Sequence, residues 1–413
     1  MRRQRGRGAD RRSRLGACLI AITAALAWAS AASAAGDVIR IGVLNDQSGV
    51  FQDNGGLGSV AAARLAAEDF GNEILGRRIE ILSADHQNKP DLASSIARRW
   101  IEQDGVDVIA DGAASSAGFA ILSVVRQNQK IFIVSGPGAS DFTGKECAPG
   151  SFHFNYDTYA LSKITSKAIT EAGGRNWFFI TADYAFGHAL QRDATKFIQA
   201  AGGNVVGTAL HPLNTLDFSS FILQAQASRA DVIGLATSGR DVQTALKQAG
   251  EFGVVTGGQK LAGLLIFITD VHALGVDAAK GLQITTSFYW DLTDDTRAWT
   301  KRFLTATGGR VPSMVHAGVY SGVRHYLAAI KAANSTDATT VAARMHAMPV
   351  DDMYNKSVQI RADGRVLHDM YLVEVKGASE SHGRYDYYKV LMRLPGEQAF
   401  RPLSESECPL VNK

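Results

Sequence analysis

Small polar side chains are concentrated in three loops of the chain. These loops are Asn45 to Gly56, Asp111 to Ser116, and Ser135 to Asp141, and each follows a short apolar run rich in β-branched residues. Ser115-Ser116 stands where a helix is expected to begin, so its hydroxyls and the free backbone N–H groups suit an anion such as a carboxylate. The alternative is that these serines only cap the helix. The loops alone are compatible with both capping and the binding of a small anion.

Signatures of enzymes are missing from the sequence, which has no G-x-S-x-G, H-E-x-x-H or C-x-x-C motif. Gly138 to Lys145 resembles a phosphate-binding loop, but its glycines are one residue too far apart and Glu146 stands where Ser or Thr is needed. The ten histidines are dispersed, which favours structural or surface roles. We expect no enzyme, no metal and no cofactor; a secreted hydrolase that uses Ser115 or Ser135 is an alternative.

The elements that would position these loops alternate along the chain. The predicted strands are Val38 to Leu44, Arg78 to Ser83, Val106 to Ala110, Ile131 to Val134, Asn176 to Thr181, Val205 to Leu210, Asp231 to Ala236, Leu261 to Ile268 and Gly281 to Ser287. The predicted helices between them are Gly58 to Phe70, Asp91 to Gln103, Ser116 to Gln127, Thr158 to Ala172, His188 to Ala201, Phe218 to Ser228 and Asp241 to Phe252. This alternation predicts parallel sheets covered by helices on both faces.

Residues at the predicted helix ends agree with this pattern. Gly173 and Gly202 follow helices, where a left-handed residue is favoured, and Asp157 and Asp217 are suitable N-caps. After Trp290 the pattern changes to helices over Asp294 to Thr307, Met314 to Ala333 and Thr339 to Met348, followed by short strands that end near Leu394. In an open parallel sheet the ligand binds at the carboxyl ends of the strands, which is where the polar loops fall.

The first 34 residues have the composition of a signal peptide. Met1 to Arg14 carries seven arginines and one aspartate, and an apolar run of 14 residues follows it. This run is shorter than the roughly 20 residues of a spanning helix, and Ala32-Ser33-Ala34 is a cleavage site, so we expect the mature chain to begin near Ala35. Cys18 as a lipid-acceptor cysteine and Arg11-Arg12 as a twin-arginine signal are weaker interpretations, since the apolar run follows the cysteine and arginines fill the whole region.

The net charge and the length of the mature chain exclude some classes of protein and indicate how many domains it has. The chain has a formal charge of +3, and the predicted signal peptide contributes +6 of it, so the mature protein is left near −3. No nucleic-acid partner is expected from this charge. No later apolar stretch reaches about 18 residues, so a soluble protein is expected. About 379 mature residues exceed what one core usually organises, which predicts two domains.

The mature chain would contain only two cysteines, Cys147 and Cys408. An even pair in an exported protein predicts a disulfide, because both cysteines stand in loop-like sequence in an oxidising compartment. Two independent buried thiols are the alternative.

Several segments together resemble the leucine/isoleucine/valine-type periplasmic binding proteins, also called type I. They include Ile39 to Gly49, Val108-Ile109 leading into Ser115-Ser116, Thr181 to Gly187, and Asp217 to Ser220, and the resemblance runs in order from residue 38 to 375. It implies an α/β fold with two doubly wound parallel-sheet lobes joined by a three-crossover hinge. It also implies a periplasmic, monomeric protein that closes on a small-molecule ligand and delivers it to the permease subunits of an ABC transporter.

The resemblance gives provisional domain boundaries. We expect a signal peptide over 1–34, a first lobe over 37–155 plus 288–350, a second lobe over 156–287 plus 351–394, and a C-terminal tail over 395–413 that returns to the first lobe through Cys408.

The resemblance also assigns a ligand site. The carboxylate-binding serine of the family falls within Ala114 to Ser116, and the second carboxylate-binding loop falls on Ser135 to Ser140. An aromatic residue of the second lobe corresponds to Phe186. The residues expected to contact the ligand are Phe51, Ala114, Ser115, Ser116, Ser135, Gly136, Pro137, Ala139, Ser140, Tyr184, Phe186, Ser238, Leu265 and Phe267.

One departure from the family concerns the ligand's charge. The acid that pairs with an amino acid's ammonium should follow the strand that begins at Leu261, but the chain has Leu265 there. An unpaired buried ammonium would cost several kcal/mol. We therefore expect an aromatic acid, as in the subgroup from soil bacteria that the sequence resembles. A hydrophobic or branched-chain amino acid paired with Asp270, or a sensory ligand-binding module, are the alternatives.

Overall fold

The computed structural model describes residues 38–411. The predicted signal peptide, its cleavage site after Ala34, Cys18 and the arginine pair lie outside this range. No helix between residues 38 and 411 is long and apolar enough to span a bilayer.

A six-stranded sheet organises the first lobe. Its elements are β1 Val38–Asn45, α1 Gly56–Glu68, β2 Glu73–Ile74, β3 Arg77–Asp85, α2 Pro90–Glu102, β4 Val108–Asp111, α3 Ser115–Gln127, β5 Ile131–Val134 and β6 Ser151–His153. The strand order is β2-β3-β1-β4-β5-β6, and only β2 runs antiparallel to its neighbour. Every residue of β4 and β5 is buried, as expected for central strands covered on both faces.

A second parallel sheet organises the other lobe. Its part of the chain contains α4 Thr158–Glu171, β7 Asn176–Ala182, α5 Ala185–Ala200, β8 Asn204–His211, α6 Ser219–Ala227, β9 Val232–Ala236, α7 Arg240–Glu251, β10 Lys260–Gly263, α8 Ile268–Leu274, α9 Val276–Ala279 and β11 Gln283–Thr286. The strand order is β10-β9-β7-β8, with all neighbours parallel. The predicted α/β fold with two doubly wound lobes is therefore confirmed.

The last quarter of the chain contributes to both lobes. Its elements are α10 Asp294–Ala306, α11 Met314–Ala333, α12 Ala338–Ala347, β12 Met370–Val375, β13 Tyr388–Leu394 and α13 Gly396–Ala399. Helices α10 and α11 pack against α1 of the first lobe. Strands β11, β12 and β13 form an antiparallel sheet of their own, which the sequence had not predicted.

The predicted helix ends are largely correct. Asp157 caps α4 by accepting the Ala160 N–H at 2.8 Å, and Gly173 and Gly202 have φ of 98° and 78°. The strand predicted over Leu261 to Ile268 is too long, because β10 ends at Gly263 and α8 begins at Ile268. Residues 264–267 therefore form a loop.

The hinge contains a fully buried arginine. The chain crosses between the lobes after β6, after β11 and before β12, and Arg365 in the third crossing forms a parallel bridge with His153 at the end of β6. Its guanidinium lies 3.2 Å from the Asp157 carboxylate and 4.4 Å from the centre of the Phe400 ring. Burial lowers the pKa of Arg365 to about 10, so it stays charged at neutral pH. The exact lobe boundaries stay a prediction.

The C-terminal tail connects both lobes. Cys147, after β5, and Cys408 form a disulfide with their Cα atoms 5.6 Å apart. Three residues earlier, Glu405 accepts from Lys196 of α5 in the second lobe at 2.7 Å. The tail is thus covalently attached to one lobe and ion-paired with the other.

Replacing both cysteines with serine should lower the free energy of unfolding by up to about 5 kcal/mol, because the bond closes a loop of more than 250 residues in the unfolded chain. Denaturant unfolding of the exported protein measures this loss. Lys196→Gln is the matched control and should cost under about 1 kcal/mol, since the ion pair is solvent-exposed. Two titratable thiols in the denatured, unreduced protein would contradict the bond.

Candidate functional site

A cavity lies between the lobes at the carboxyl ends of the parallel strands. The volume of this cavity is about 20 Å³ in the closed structure, and it is partly open to solvent. Loops after β4 and β5 contribute from the first lobe, and loops after β7, β9 and β10 contribute from the second. The lining residues are Phe51, Asn54, Gly55, Asp111, Ala113, Ser115, Gly136, Gly138, Tyr156, Tyr184, Phe186, Ser238, Leu265, Phe267 and Val315.

Hydrogen bonds across the cleft hold the lobes together around this cavity. The Arg240 N–H donates to the Val50 carbonyl at 3.1 Å, and the Thr269 hydroxyl donates to Asn54 Oδ1 at 2.8 Å. The Ala185 N–H donates to Ser116 Oγ at 3.3 Å. The structure is therefore a closed form, in which both lobes contribute to one site.

Hydrogen-bond donors are grouped on the first-lobe side of the cavity. Ser115 Oγ accepts the Ala139 N–H at 3.1 Å, which leaves the serine O–H free to donate. Asn54 is 3% exposed, and its Nδ2 has no partner among the described residues. Helix α3 begins at Ser115, and its N-cap, Ala114, makes no side-chain capping bond. These groups form a neutral donor cluster suited to an anion.

Asp111 fixes the two loops that carry these donors. It ends β4 with a φ of +81°, a left-handed conformation that is strained for a non-glycine residue. Its Oδ1 accepts the N–H groups of Gly136 at 3.1 Å and Ala113 at 3.3 Å, and its Oδ2 accepts Asn45 Nδ2 at 2.7 Å. Burial raises the pKa of the Asp111 carboxyl, and these donors oppose that rise. Asp111 therefore links the loops after β4 and β5.

Aromatic rings form the rest of the wall. The rings of Phe51 and Tyr184 have centroids 6.2 Å apart, and Tyr184 and Phe186 are 6.0 Å apart. On the opposite side, Tyr156 meets Phe267 edge to face at 5.8 Å, and the Tyr156 hydroxyl donates to the Gly136 carbonyl at 2.7 Å. Burial raises the pKa of Tyr156 and Tyr184, so both phenols stay neutral. The cavity thus has a polar end and an aromatic enclosure.

Leu265 and Asp270 occupy different positions relative to the cavity. Leu265 is 2% exposed and lines it. Asp270 is buried outside the lining, where its carboxylate accepts the Phe267 N–H at 2.8 Å and Gln243 Nε2 at 2.7 Å. Burial raises the pKa of Asp270 to about 7. Its oxygens therefore stabilise the start of α8 and do not face a ligand.

Several predicted site residues lie outside the lining, because their polar groups serve the protein itself. The Ser135 hydroxyl donates to the Val315 carbonyl at 2.8 Å, and the Ser140 hydroxyl donates to Asp193 at 2.7 Å across the lobes. Ser116 binds Ala185, as described above. The remaining three are Ala114, Pro137 and Ala139, which are backbone neighbours of lining residues.

The lining also includes residues that the sequence did not reveal, chiefly Asn54, Asp111 and Tyr156. Asn54 and Asp111 stand in two of the polar loops that the sequence singled out, so their region was predictable but their roles were not. Tyr156 comes from the first crossing between the lobes, for which the sequence carried no signal.

The geometry is that of a binding site. No histidine lines the cavity, so Ser115 has no base beside it there. Within residues 38–411, no group of three or more His, Cys, Asp or Glu side chains is arranged to hold a metal ion.

Comparisons with known proteins agree with this geometry. A family model described as periplasmic binding protein matches residues 38–381. A periplasmic binding protein from Burkholderia mallei is 44% identical, with a TM-score of 0.89, and the match covers 91% of this chain and 100% of that one. A branched-chain amino acid ABC transporter periplasmic ligand-binding protein from Burkholderia xenovorans is 38% identical, with a TM-score of 0.80 and the same coverages.

A more distant structure shares the fold. It is an ABC transporter solute-binding protein from R. palustris in complex with benzoate, 21% identical, with a TM-score of 0.75 over 86% of this chain and 96% of that one. The chain therefore belongs to the family of periplasmic binding proteins, whose members bind solutes for ABC transporters and are not enzymes.

Proposed function

We propose that this protein captures a small aromatic acid in the interlobe cavity and delivers it to an ABC permease. The observation that carries the proposal is the composition of the cavity wall, in which a neutral donor cluster faces five aromatic rings and Leu265. Among residues 38–411 no lysine or arginine lines the cavity, so a carboxylate would be held by hydrogen bonds from these residues.

The donor cluster is the evidence that the ligand carries a carboxylate. Asn54 Nδ2 and the Ser115 hydroxyl are donors without an acceptor in the described structure, and a carboxylate accepts through two oxygens. Hydrogen bonds to a charged acceptor are stronger than neutral ones, which offsets the loss of hydration. Thr269 orients Asn54 from the opposite lobe, so the full cluster would exist only in the closed form.

The aromatic enclosure is the evidence that the ligand carries an apolar ring. Each Å² of apolar ligand surface removed from water would contribute about 25 cal/mol. Leu265 extends the apolar wall that would contact the ring. An α-ammonium placed against Leu265 would lose its hydration without gaining a partner. The R. palustris protein, which has the same fold, is in complex with benzoate, so a ligand of this class is compatible with the architecture.

A hydrophobic amino acid is the second candidate, and Asp111 is the observation that favours it. Its carboxylate lines the cavity and is the acid available there to an ammonium. The branched-chain amino acid protein from B. xenovorans is a relative that fits this alternative. Against it, both Asp111 oxygens already accept protein hydrogen bonds. We therefore favour the acid without an amine.

The proposal also covers the export of the protein and its oligomeric state. We infer that an N-terminal signal peptide cleaved after Ala34 directs the protein to the periplasm, where it acts as a monomer. The composition of the first 34 residues supports this route.

Isothermal titration calorimetry on refolded, ligand-free protein should give micromolar or tighter binding of benzoate and cinnamate. Phenylalanine and leucine should bind at least about 100-fold more weakly, because an unpaired ammonium costs several kcal/mol. Benzamide is the matched neutral control and separates recognition of the charge from recognition of the ring. Tight binding of an amino acid without any response to benzoate would refute the aromatic-acid proposal.

Ser115→Ala should weaken benzoate binding by about 1–3 kcal/mol, since it removes one donor to a charged acceptor. Asn54→Ala should weaken binding by at least as much, because it also removes the hydrogen bond from Thr269 across the cleft. Ser123→Ala, on the exposed face of α3, is the control and should leave the affinity unchanged. Thermal unfolding of each variant verifies the fold. Unchanged affinity in both cavity variants would mean that the carboxylate is bound elsewhere.

A further inference from the structure

A second cavity lies between the lobes beside the ligand cavity, and we call it the outer cavity. The volume of the outer cavity is about 360 Å³, and it is partly open to solvent. The first-lobe side includes Asp53 and Arg310, and the second-lobe side includes Thr269, His272 and Arg384. The charged groups among them, Asp53, Arg310, His272 and Arg384, do not line the ligand cavity.

The two arginines reach the outer cavity from different lobes. Arg310 precedes α11, and Arg384 lies in the connection between β12 and β13. Both side chains are exposed, and among the described residues neither forms an ion pair with a carboxylate. Arg384 stacks on the Tyr385 ring at 4.7 Å, and the Tyr385 hydroxyl donates to the Gly309 carbonyl at 2.7 Å. That interlobe bond holds the two cationic segments together in the closed form.

Other charged and polar groups leave this pair unneutralised. Asp53 is the only carboxylate that the described part of the chain places in the lining, and its carboxylate lies 3.7 Å from the Arg240 guanidinium. His272 Nδ1 is hydrogen-bonded to the Tyr387 hydroxyl at 2.8 Å, and its Nε2 has no hydrogen-bond partner among the described residues. The closed form therefore places two exposed arginines from different lobes in the wall of one cavity, where both are available to an anion.

The outer cavity adjoins the ligand cavity. Gly55 lines both cavities. Thr269 lines the outer cavity and donates at 2.8 Å to Asn54, which lines the ligand cavity. The Asn54–Thr269 hydrogen bond therefore stands between the two cavities, and opening the lobes would break it.

We propose that the outer cavity is a second anion site, at which Arg310 and Arg384 bind a carboxylate or another small oxoanion. Guanidinium groups match the two oxygens of such anions, and binding between the lobes favours closure. For an aromatic acid, the site would concentrate the anion beside the ligand cavity and accelerate capture. This last role rests on the proposed function, whereas anion binding itself does not.

The test compares wild-type protein with the double variant Arg310→Gln/Arg384→Gln. Arg98→Gln/Arg297→Gln, which removes two ion-paired surface arginines, is the charge-matched control. Inorganic phosphate is the probe, compared with chloride at equal ionic strength in thermal unfolding without the primary ligand. We expect phosphate to raise the midpoint by about 2 °C in the wild type and the control but not in the double variant.

Stopped-flow fluorescence gives the kinetic readout. The association rate of benzoate should fall several-fold at low salt in the double variant, with its dissociation rate unchanged and the control unaffected. An equal phosphate effect in all three proteins, or none in the wild type, would overturn the second anion site. If wild-type protein fails to bind benzoate at all, the proposed ligand is wrong, and the phosphate comparison still decides the outer cavity.

Discussion

The site depends on hydrogen bonds that form only when the two lobes meet. Each lobe presents loops from the carboxyl ends of its parallel strands, and neither lobe alone encloses a ligand. Asn54 illustrates the constraint, because its amide is held by Thr269 from the opposite lobe at 2.8 Å while its Nδ2 stays free. A ligand that uses this donor stabilises the closed form in preference to the open one, and such differential binding is what drives closure.

Contacts outside the cavity prepare the first lobe for closure and connect the two lobes near the hinge. Asp111 links the loops after β4 and β5, so the first-lobe half of the site is preorganised before closure. Near the crossings, Arg365 and Asp157 form a buried ion pair. Removing either side chain alone would destabilise the fold, because the other charge would stay buried without a partner. The C-terminal tail, attached by Cys408 and paired through Glu405, spans both lobes beside the hinge.

Much of the fold was predictable from the sequence, because helices and strands are indicated by local features. These features are the periodicity of apolar residues, the N-cap Asp157 and the glycines that end helices. The antiparallel sheet of β11, β12 and β13 was not, since it depends on pairing between distant segments. The same distinction holds for the site. The position of Ser115 after a strand indicated its location, whereas the engagement of Ser135 and Ser140 by Val315 and Asp193 required tertiary structure.

We propose that a carboxylate without an amine binds to neutral donors within an aromatic enclosure. A crystal structure of the closed protein with benzoate is the decisive experiment. We expect the carboxylate oxygens within hydrogen-bond distance of Ser115 Oγ and Asn54 Nδ2, with the ring between Tyr184 and Phe267. An amino acid in the same cavity with its ammonium on Asp111 would refute this binding mode.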